Sequence, residues 1–132
     1  MERDAAMDQR TVLVVEDDAA MRALVVELLD EAGYRVLEAD GGKMALRLAQ
    51  EHVPSVVVVD YTLPDMSGLD VLEQLRGHRA SRHIPVMLVS GRAQQLVDRD
   101  HGADRVLAKP FDIDVLLQQV EYLATCTRDG VA

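Results

Sequence analysis

The stretch that decides the fold is SVVVVD, residues 55–60, in which four consecutive valines are followed directly by a carboxylate. A short run of β-branched residues without a polar face is typical of a strand buried on both sides of a parallel sheet. The next residues, YTLPDMSG (61–68), contain proline and glycine and predict a loop. Asp60 is therefore expected at an edge of the sheet, where a loop begins.

Short apolar runs alternate with amphipathic segments along the whole chain. The predicted strands are 11–16, 34–39, 55–60, 86–90 and 104–108. The predicted helices are a segment capped by Asp18 and closed by Gly33, then 43–52, a segment carrying Leu69, Leu72 and Leu75, a short one around 92–100, and 112–124. This alternation predicts an α/β fold, a doubly wound five-stranded parallel sheet of flavodoxin-like order 2-1-3-4-5 with five helices.

Composition limits the functions that this fold could serve. The net charge of −9 disfavours direct binding of nucleic acid by this chain, because phosphate backbones are repelled. No apolar run approaches the roughly 20 residues of a membrane span, the first residues do not resemble a secretory signal, and Cys126 is the single cysteine. We therefore expect a cytoplasmic protein, with one domain at 11–124 between a flexible lead at 1–10 and a flexible tail at 125–132.

Polar side chains lie at the ends of four of the five predicted strands. They are Glu16 and Asp17 at the end of the first strand, Asp60 at the end of the third, Ser90 at the end of the fourth and Lys109 directly after the fifth. In doubly wound sheets these strand ends meet at one edge, where the functional crevice lies. Clustered carboxylates repel one another unless they are protonated or bound to a cation, and Mg²⁺ prefers oxygen ligands of this kind. A nucleophilic carboxylate beside a metal ion and a lysine suits phosphoryl transfer.

Four fragments of the chain, in this order, resemble the signatures of bacterial response-regulator receiver domains. They are VLVVEDDAAMR (12–22), VVVVDYTLPDMSGLDVL (56–72), VMLVSGRA (86–93) and GADRVLAKPF (102–111). The resemblance extends from residue 11 to about residue 124. It implies a module of two-component signalling, similar to the single-domain regulators of the chemotaxis type.

The resemblance also implies a role for individual residues. Asp60 matches the phosphate acceptor, Glu16 and Asp17 match the acidic pair at a Mg²⁺ ion, and Asp17 is the direct ligand we favour of these two. Thr62 matches the residue whose backbone carbonyl completes the metal shell, with Asp60 as a further ligand. Ser90 matches the switch hydroxyl and Lys109 the lysine that contacts the phosphoryl group.

Further expectations follow from the same resemblance. The peptide bond between Lys109 and Pro110 is expected to be cis, since proline lowers the cis penalty. Thr62 and Arg92 are expected to tune the lifetime of the phosphoryl group, and Mn²⁺ could replace Mg²⁺.

The family's usual phosphodonor is a phosphohistidine on a sensor histidine kinase or phosphotransfer protein. The chain would then be no enzyme beyond self-phosphorylation and slow self-dephosphorylation. Its output would be contact with a downstream protein. A weak dimer through the predicted fourth helix and fifth strand is a further option, and the chain could be a stand-alone regulator or part of a longer protein.

Three departures from the family pattern concern the output of the signal. Val106 stands where the family usually has Tyr or Phe, and Gly91 follows the switch serine where alanine is commoner. Only twelve positions separate Ser90 from Gly102, roughly one helical turn fewer than the family norm. We therefore expect ordinary phosphorylation with an unusual readout.

Two other functions remain open from the residues alone. A magnesium-dependent phosphatase of the haloacid-dehalogenase type also uses a strand-end aspartate, but it usually has a second Asp where this chain has Thr62. A pseudo-receiver would bind a partner without phosphorylation, although Asp60, Ser90 and Lys109 argue against it. Outside the site, Asp65 is interpreted as a loop cap, and Arg76, Arg79 and Arg82 as a solvated basic run.

Overall fold

The computed structural model describes residues 10–91 and 102–125 of the 132 residues. Within these ranges the chain forms five strands and four helices. The strands are β1 (Thr11–Val15), β2 (Arg35–Ala39), β3 (Val56–Asp60), β4 (Val86–Ser90) and β5 (Arg105–Ala108). The helices are α1 (Ala19–Glu31), α2 (Gly42–His52), α3 (Gly68–Gly77) and α4 (Ile113–Ala124). The fourth of the five predicted helices, around 92–100, lies outside the described residues, as does Arg92.

All strand pairs are parallel, and the sheet order is β2-β1-β3-β4-β5. The predicted fold class and strand order are therefore confirmed, with element boundaries that differ from prediction by one residue or so. None of the helices in the described residues is long and apolar enough to cross a membrane.

The sheet is covered on both faces, which explains why the valine run of β3 has no polar side. Val57 and Val59 face a core layer formed with α2 and α3, whereas Val56 and Val58 face a layer formed with α1 and α4. Every residue of β3 and β4 is buried. The uniform burial fixes the central strands and so positions their polar ends.

The two residues predicted to begin and end α1, Asp18 and Gly33, lie at its ends in the structure. Asp18 is the N-cap, and its Oδ1 accepts a hydrogen bond from the Met21 N–H at 3.0 Å. Gly33, just beyond the helix, has a φ of 101°, a conformation that glycine adopts without steric cost. Val53, after α2, also has a positive φ, 44°, which strains a β-branched residue.

Arg76 corrects the interpretation of the basic run as solvated. It lies in the last turn of α3, and only 17% of its side chain is exposed. Its guanidinium donates to the Ile84 carbonyl at 2.8 Å, the Gly102 carbonyl at 3.2 Å and Asp104 Oδ2 at 3.1 Å. Asp104 Oδ2 also accepts from the Val86 N–H at 2.8 Å. This Arg76–Asp104 pair joins α3 to the beginnings of β4 and β5, whereas Arg79 and Arg82 are exposed as expected.

Candidate functional site

Three carboxylates gather where β1 and β3 end. Glu16 directly follows β1, and Asp60 is the last residue of β3, which is the neighbouring strand. One carboxylate oxygen from each of Glu16, Asp17 and Asp60 lies within 4.8 Å of the other two. Glu16 and Asp60 are buried, with 6% and 7% exposure, whereas Asp17 is exposed. The structure thus brings together the three carboxylates that the sequence indicated, with one open side.

Lys109 enters this carboxylate cluster from the end of β5. Its ammonium donates to Asp60 Oδ2 at 2.8 Å and to Glu16 Oε1 at 3.2 Å. The Lys109 backbone N–H donates to the Ser90 carbonyl at 2.9 Å, which extends the β4–β5 pairing to this residue. The peptide bond between Lys109 and Pro110 is cis. Lys109 therefore contacts both buried carboxylates at once.

The charges at the site shift the pKa of two groups. Burial raises the pKa of Glu16, and the negative charge of Asp60 raises it further. Hydrogen bonds from the Asp18 N–H and Lys109 lower it, but the net pKa is raised. For Lys109, burial lowers the pKa, but hydrogen bonds and attraction to Asp60 and then Glu16 outweigh it, so its pKa is raised. One ammonium stands against three carboxylates, so a further cation would be favoured here.

Asp60 is also held by the loop that follows it, residues 61–67. The Thr62 N–H donates to Asp60 Oδ1 at 3.3 Å, and the Gly68 N–H donates to the Tyr61 carbonyl at 2.7 Å. Thr62 and Ser67 form an antiparallel bridge across the loop. A Cβ on Gly68 would lie 2.5 Å from the Asp60 carbonyl oxygen, so only glycine fits this close approach. The loop thus closes tightly on the strand end.

The remaining predicted site residues lie at the same edge or just outside it. Ser90 ends β4, is 2% exposed and follows Val89, which pairs with Asp60. Val106 is half-buried on β5 and packs against the core layer formed with α2 and α3. Asp65 does not join the carboxylates; its two oxygens accept from the Gly42 and Lys43 N–H groups at 2.8 and 3.0 Å. The predicted capping role of Asp65 thus serves the beginning of α2.

Sequence reasoning missed Arg22. Its Nη1 donates to the Glu16 carbonyl at 2.8 Å, and its Nε donates to Glu38 Oε1 at 3.2 Å. These bonds hold the end of β1 and the start of the acidic pair. The only sequence signal was its place in the first turn or so of a helix that follows three consecutive acidic residues.

The donor set fits a hard divalent cation. Carboxylate oxygens are the ligands that Mg²⁺ prefers, and Mg²⁺ commonly uses one or two carboxylates together with water. The exposed Asp17 leaves an approach for the ion, and the surplus of negative charge favours its binding. Glu16, Asp17 and Asp60 are therefore the residues that could hold Mg²⁺.

An apolar groove opens beside the site. It has a volume of about 390 Å³ and is lined by Met21 and Leu24 of α1, by Lys109, Pro110 and Phe111, and by Ile113 of α4. Leu24 and Ile113 are exposed, at 42% and 37%. An apolar surface therefore leads directly to the lysine that contacts Asp60.

Comparisons with known proteins agree with this geometry. The family model of the response regulator receiver domain matches residues 12–121. The transcriptional regulatory protein KdpE of Mycobacterium tuberculosis is 42% identical over 113 residues, which are 83% of this chain and 48% of KdpE. The polar-differentiation response regulator DivK of Brucella ovis is 30% identical over 115 residues, covering 85% of this chain and 94% of DivK.

A solved structure has the same fold. The response regulator TrrA of Thermotoga maritima, in complex with Mg²⁺ and BeF, has a TM-score of 0.79 and 28% identity, and the match covers 87% of this chain and 99% of TrrA. The chain spans about half the length of KdpE, and a much smaller share of another curated relative. The family model matches nearly the whole described chain, and the carboxylates and the lysine lie together at the strand ends. The chain therefore belongs to the response regulator receiver domain family.

Proposed function

We propose that this receiver domain accepts a phosphoryl group on Asp60, with Mg²⁺ bound by Glu16, Asp17, Asp60 and the Thr62 carbonyl. The observation that carries the proposal is the contact of Lys109 with Asp60 Oδ2 and Glu16 Oε1 inside a cluster of three carboxylates. The complex of the related TrrA with Mg²⁺ and BeF supports it.

In the proposed step, a carboxylate oxygen of Asp60 attacks the phosphorus of the donor. The bond from phosphorus to the donor's nitrogen or oxygen breaks, and the donor group leaves with the electron pair. Bound Mg²⁺ would neutralise charge on the transferred oxygens. Lys109, already directed at Asp60 Oδ2, would donate to a phosphoryl oxygen, and the Ser90 hydroxyl would do the same at the neighbouring strand end.

A histidine kinase or phosphotransfer protein is the proposed donor, and the apolar groove beside Lys109 is a suitable surface for it. Leu24 and Ile113 would cover the donor's apolar side chains while its phosphohistidine faces Asp60. A cytoplasmic location and output through protein contacts complete the proposal, with a weak dimer through the predicted fourth helix and β5 as a further option. Val106 would make the readout unusual, since valine has no ring to move inward.

The alternatives have less support. An aspartate-nucleophile phosphatase needs a general acid, and the second position after Asp60 is Thr62, whose N–H is already directed to Asp60 Oδ1. A pseudo-receiver would not need a buried carboxylate held by a lysine at 2.8 Å. Neither is preferred to phosphoryl acceptance.

Incubation with acetyl phosphate and Mg²⁺, followed by intact-protein mass spectrometry, tests the proposal. We expect the mass to rise by one phosphoryl group in the wild type, and no rise in Asp60→Asn or when Mg²⁺ is chelated. Asp114→Asn, which changes an exposed carboxylate in the first turn of α4, is the matched control and should be phosphorylated normally. Phosphorylation of Asp60→Asn at the wild-type rate would contradict the assignment.

A further inference from the structure

We infer that Asp65 is a positioning residue for Asp60, acting through the loop 61–67 that it fastens to the beginning of α2. This inference rests on the proposed function, because it assigns to Asp65 the support of the carboxylate that would bind Mg²⁺ and accept phosphate.

The fastening is a double hydrogen bond that spans more than 20 residues of sequence. Asp65 Oδ1 accepts from the Gly42 N–H at 2.8 Å, and Oδ2 accepts from the Lys43 N–H at 3.0 Å. The first N–H groups of a helix have no partner within the helix, so the carboxylate satisfies donors that nothing in α2 could satisfy. The bonds to Lys43 and then Gly42 also lower the pKa of Asp65, so the carboxylate stays ionised.

Packing reinforces the double hydrogen bond. Gly41 and Gly42 are buried beneath the loop, and a Cβ on Gly42 would overlap Met66 Cγ and lie 3.0 Å from Val71 Cγ2. The absence of a side chain at position 42 thus lets Met66 approach the helix backbone. Asp65 and Met66 therefore bind adjacent points of α2 from adjacent positions in the loop.

The loop transmits this fastening to the site over a short path. Thr62 is bridged to Ser67, and its N–H donates to Asp60 Oδ1. Asp60 Oδ1 thus accepts from the Thr62 N–H, and Asp60 Oδ2 accepts from the Lys109 ammonium. Release of Asp65 would detach the loop 61–67 from α2, and we expect this to loosen the Thr62 N–H and weaken one of the bonds that orient Asp60.

The test is a Mg²⁺ titration by calorimetry of the wild type, Asp65→Ala and Asp65→Asn. Loss of a group that orients a metal ligand commonly costs about 10-fold in affinity or more, so we expect Asp65→Ala to bind Mg²⁺ about 10-fold more weakly. Asp65→Asn keeps one acceptor oxygen and should lie between. In the metal-free protein, hydrogen exchange across 61–67 should be faster in Asp65→Ala than in the wild type.

Asp112→Ala is the matched control, because Asp112 also caps a helix through its side chain, with a bond to the Asp114 N–H at 2.8 Å, but is not in the loop. It should bind Mg²⁺ within about twofold of the wild type. Unchanged Mg²⁺ affinity in Asp65→Ala, or an equal loss in Asp112→Ala, would overturn the inference while wild-type phosphorylation stands. Failure of the wild type itself to bind Mg²⁺ would overturn the proposed function as well.

Discussion

The two edges of the sheet each hold oppositely charged side chains that are at least partly buried, but the two groups of charges are built differently. At the amino ends of β4 and β5, Arg76 meets the single carboxylate of Asp104, and backbone carbonyls and the Val86 N–H take the other bonds. At the carboxyl ends, Lys109 meets Asp60 and Glu16, with Asp17 close by.

This difference separates a structural pair from a site. The charges of Arg76 and Asp104 balance. Their other hydrogen bonds go to backbone carbonyl and N–H groups, which need hydrogen-bond partners when they are buried. Three carboxylates surround the single ammonium of Lys109, so their negative charge is not balanced by the protein alone. A bound cation would balance it. The surplus of negative charge costs stability in the metal-free protein, and such a cost is characteristic of functional sites.

The largest expected effect tests the amino edge. Arg76→Leu would leave Asp104 without its positively charged partner and the Ile84 and Gly102 carbonyls without a hydrogen-bond donor. We therefore expect the free energy of unfolding, measured by urea denaturation, to fall by about 3 kcal/mol. Mg²⁺ affinity of the folded variant should be unchanged. Weaker Mg²⁺ binding in this variant would show that the two edges are coupled and would contradict a purely structural role for Arg76.

Lys109→Gln tests the carboxyl edge. We expect the rate of phosphorylation by acetyl phosphate to fall on the order of 100-fold, because a donor directed at the transferred oxygens is weakened. The free energy of unfolding with Mg²⁺ present should change much less than in Arg76→Leu. A phosphorylation rate close to that of the wild type would assign Lys109 to structure.

Mg²⁺ itself should reveal which edge lacks a cation. At a concentration tenfold above its dissociation constant, it should raise the free energy of unfolding of the wild type by about 1.4 kcal/mol. Asp17→Asn should lose most of this increment, while Arg76→Leu should keep it. Thermal denaturation with and without chelator measures both, and an equal increment in Asp17→Asn would count against a ligand role for Asp17.

Val53 offers a smaller test at the amino edge, where α2 leads into β3. Valine at a φ of 44° is strained, whereas glycine adopts this conformation freely but loses more entropy on folding. We expect Val53→Gly to raise the free energy of unfolding by about 0.5 kcal/mol, with phosphorylation unchanged. Destabilisation by this substitution would show that the exposed side chain contributes more than its strain costs.

The smallest expected effect is the pH dependence of Asp65, a carboxylate near the site whose bonds are satisfied by the protein. Its pKa in the folded state is below 3.8, so its stabilisation is present above pH 3.8 and is lost as the pH falls through the folded-state value. Wild type should therefore exceed Asp65→Asn in stability at neutral pH, and the difference should shrink below pH 3.8. Urea denaturation across this range measures it, and a constant difference would exclude the carboxylate charge as the cause.

Most of the fold could be predicted because its signals are local. Four valines in a row, Asp18 before an amphipathic segment and Gly33 after it each depend on neighbours in sequence. The edge on which Glu16, Asp60, Ser90 and Lys109 meet also followed, since parallel strands bring their carboxyl ends together.

The contacts between distant residues could not be predicted in the same way. Arg76 and Asp104 lie 28 positions apart, and Asp65 lies 23 from Gly42, with no periodic pattern connecting either pair. An arginine in a run with Arg79 and Arg82 has the same local pattern whether it is solvated or buried. Only the way α3 packs against β4, with Arg76 reaching the Gly102 carbonyl and Asp104 before β5, decides that Arg76 is largely covered.

The close contact between Gly42 and Met66 has a consequence for evolution. A side chain at position 42 would enter the space of Met66, so a larger residue at position 42 is accommodated most easily by a smaller one at position 66. Among receiver domains that keep this loop arrangement, we expect the two positions to covary: alanine or serine at the first should accompany a smaller residue at the second. Such paired substitutions would show that contact between the loop 61–67 and α2 has been maintained across lineages.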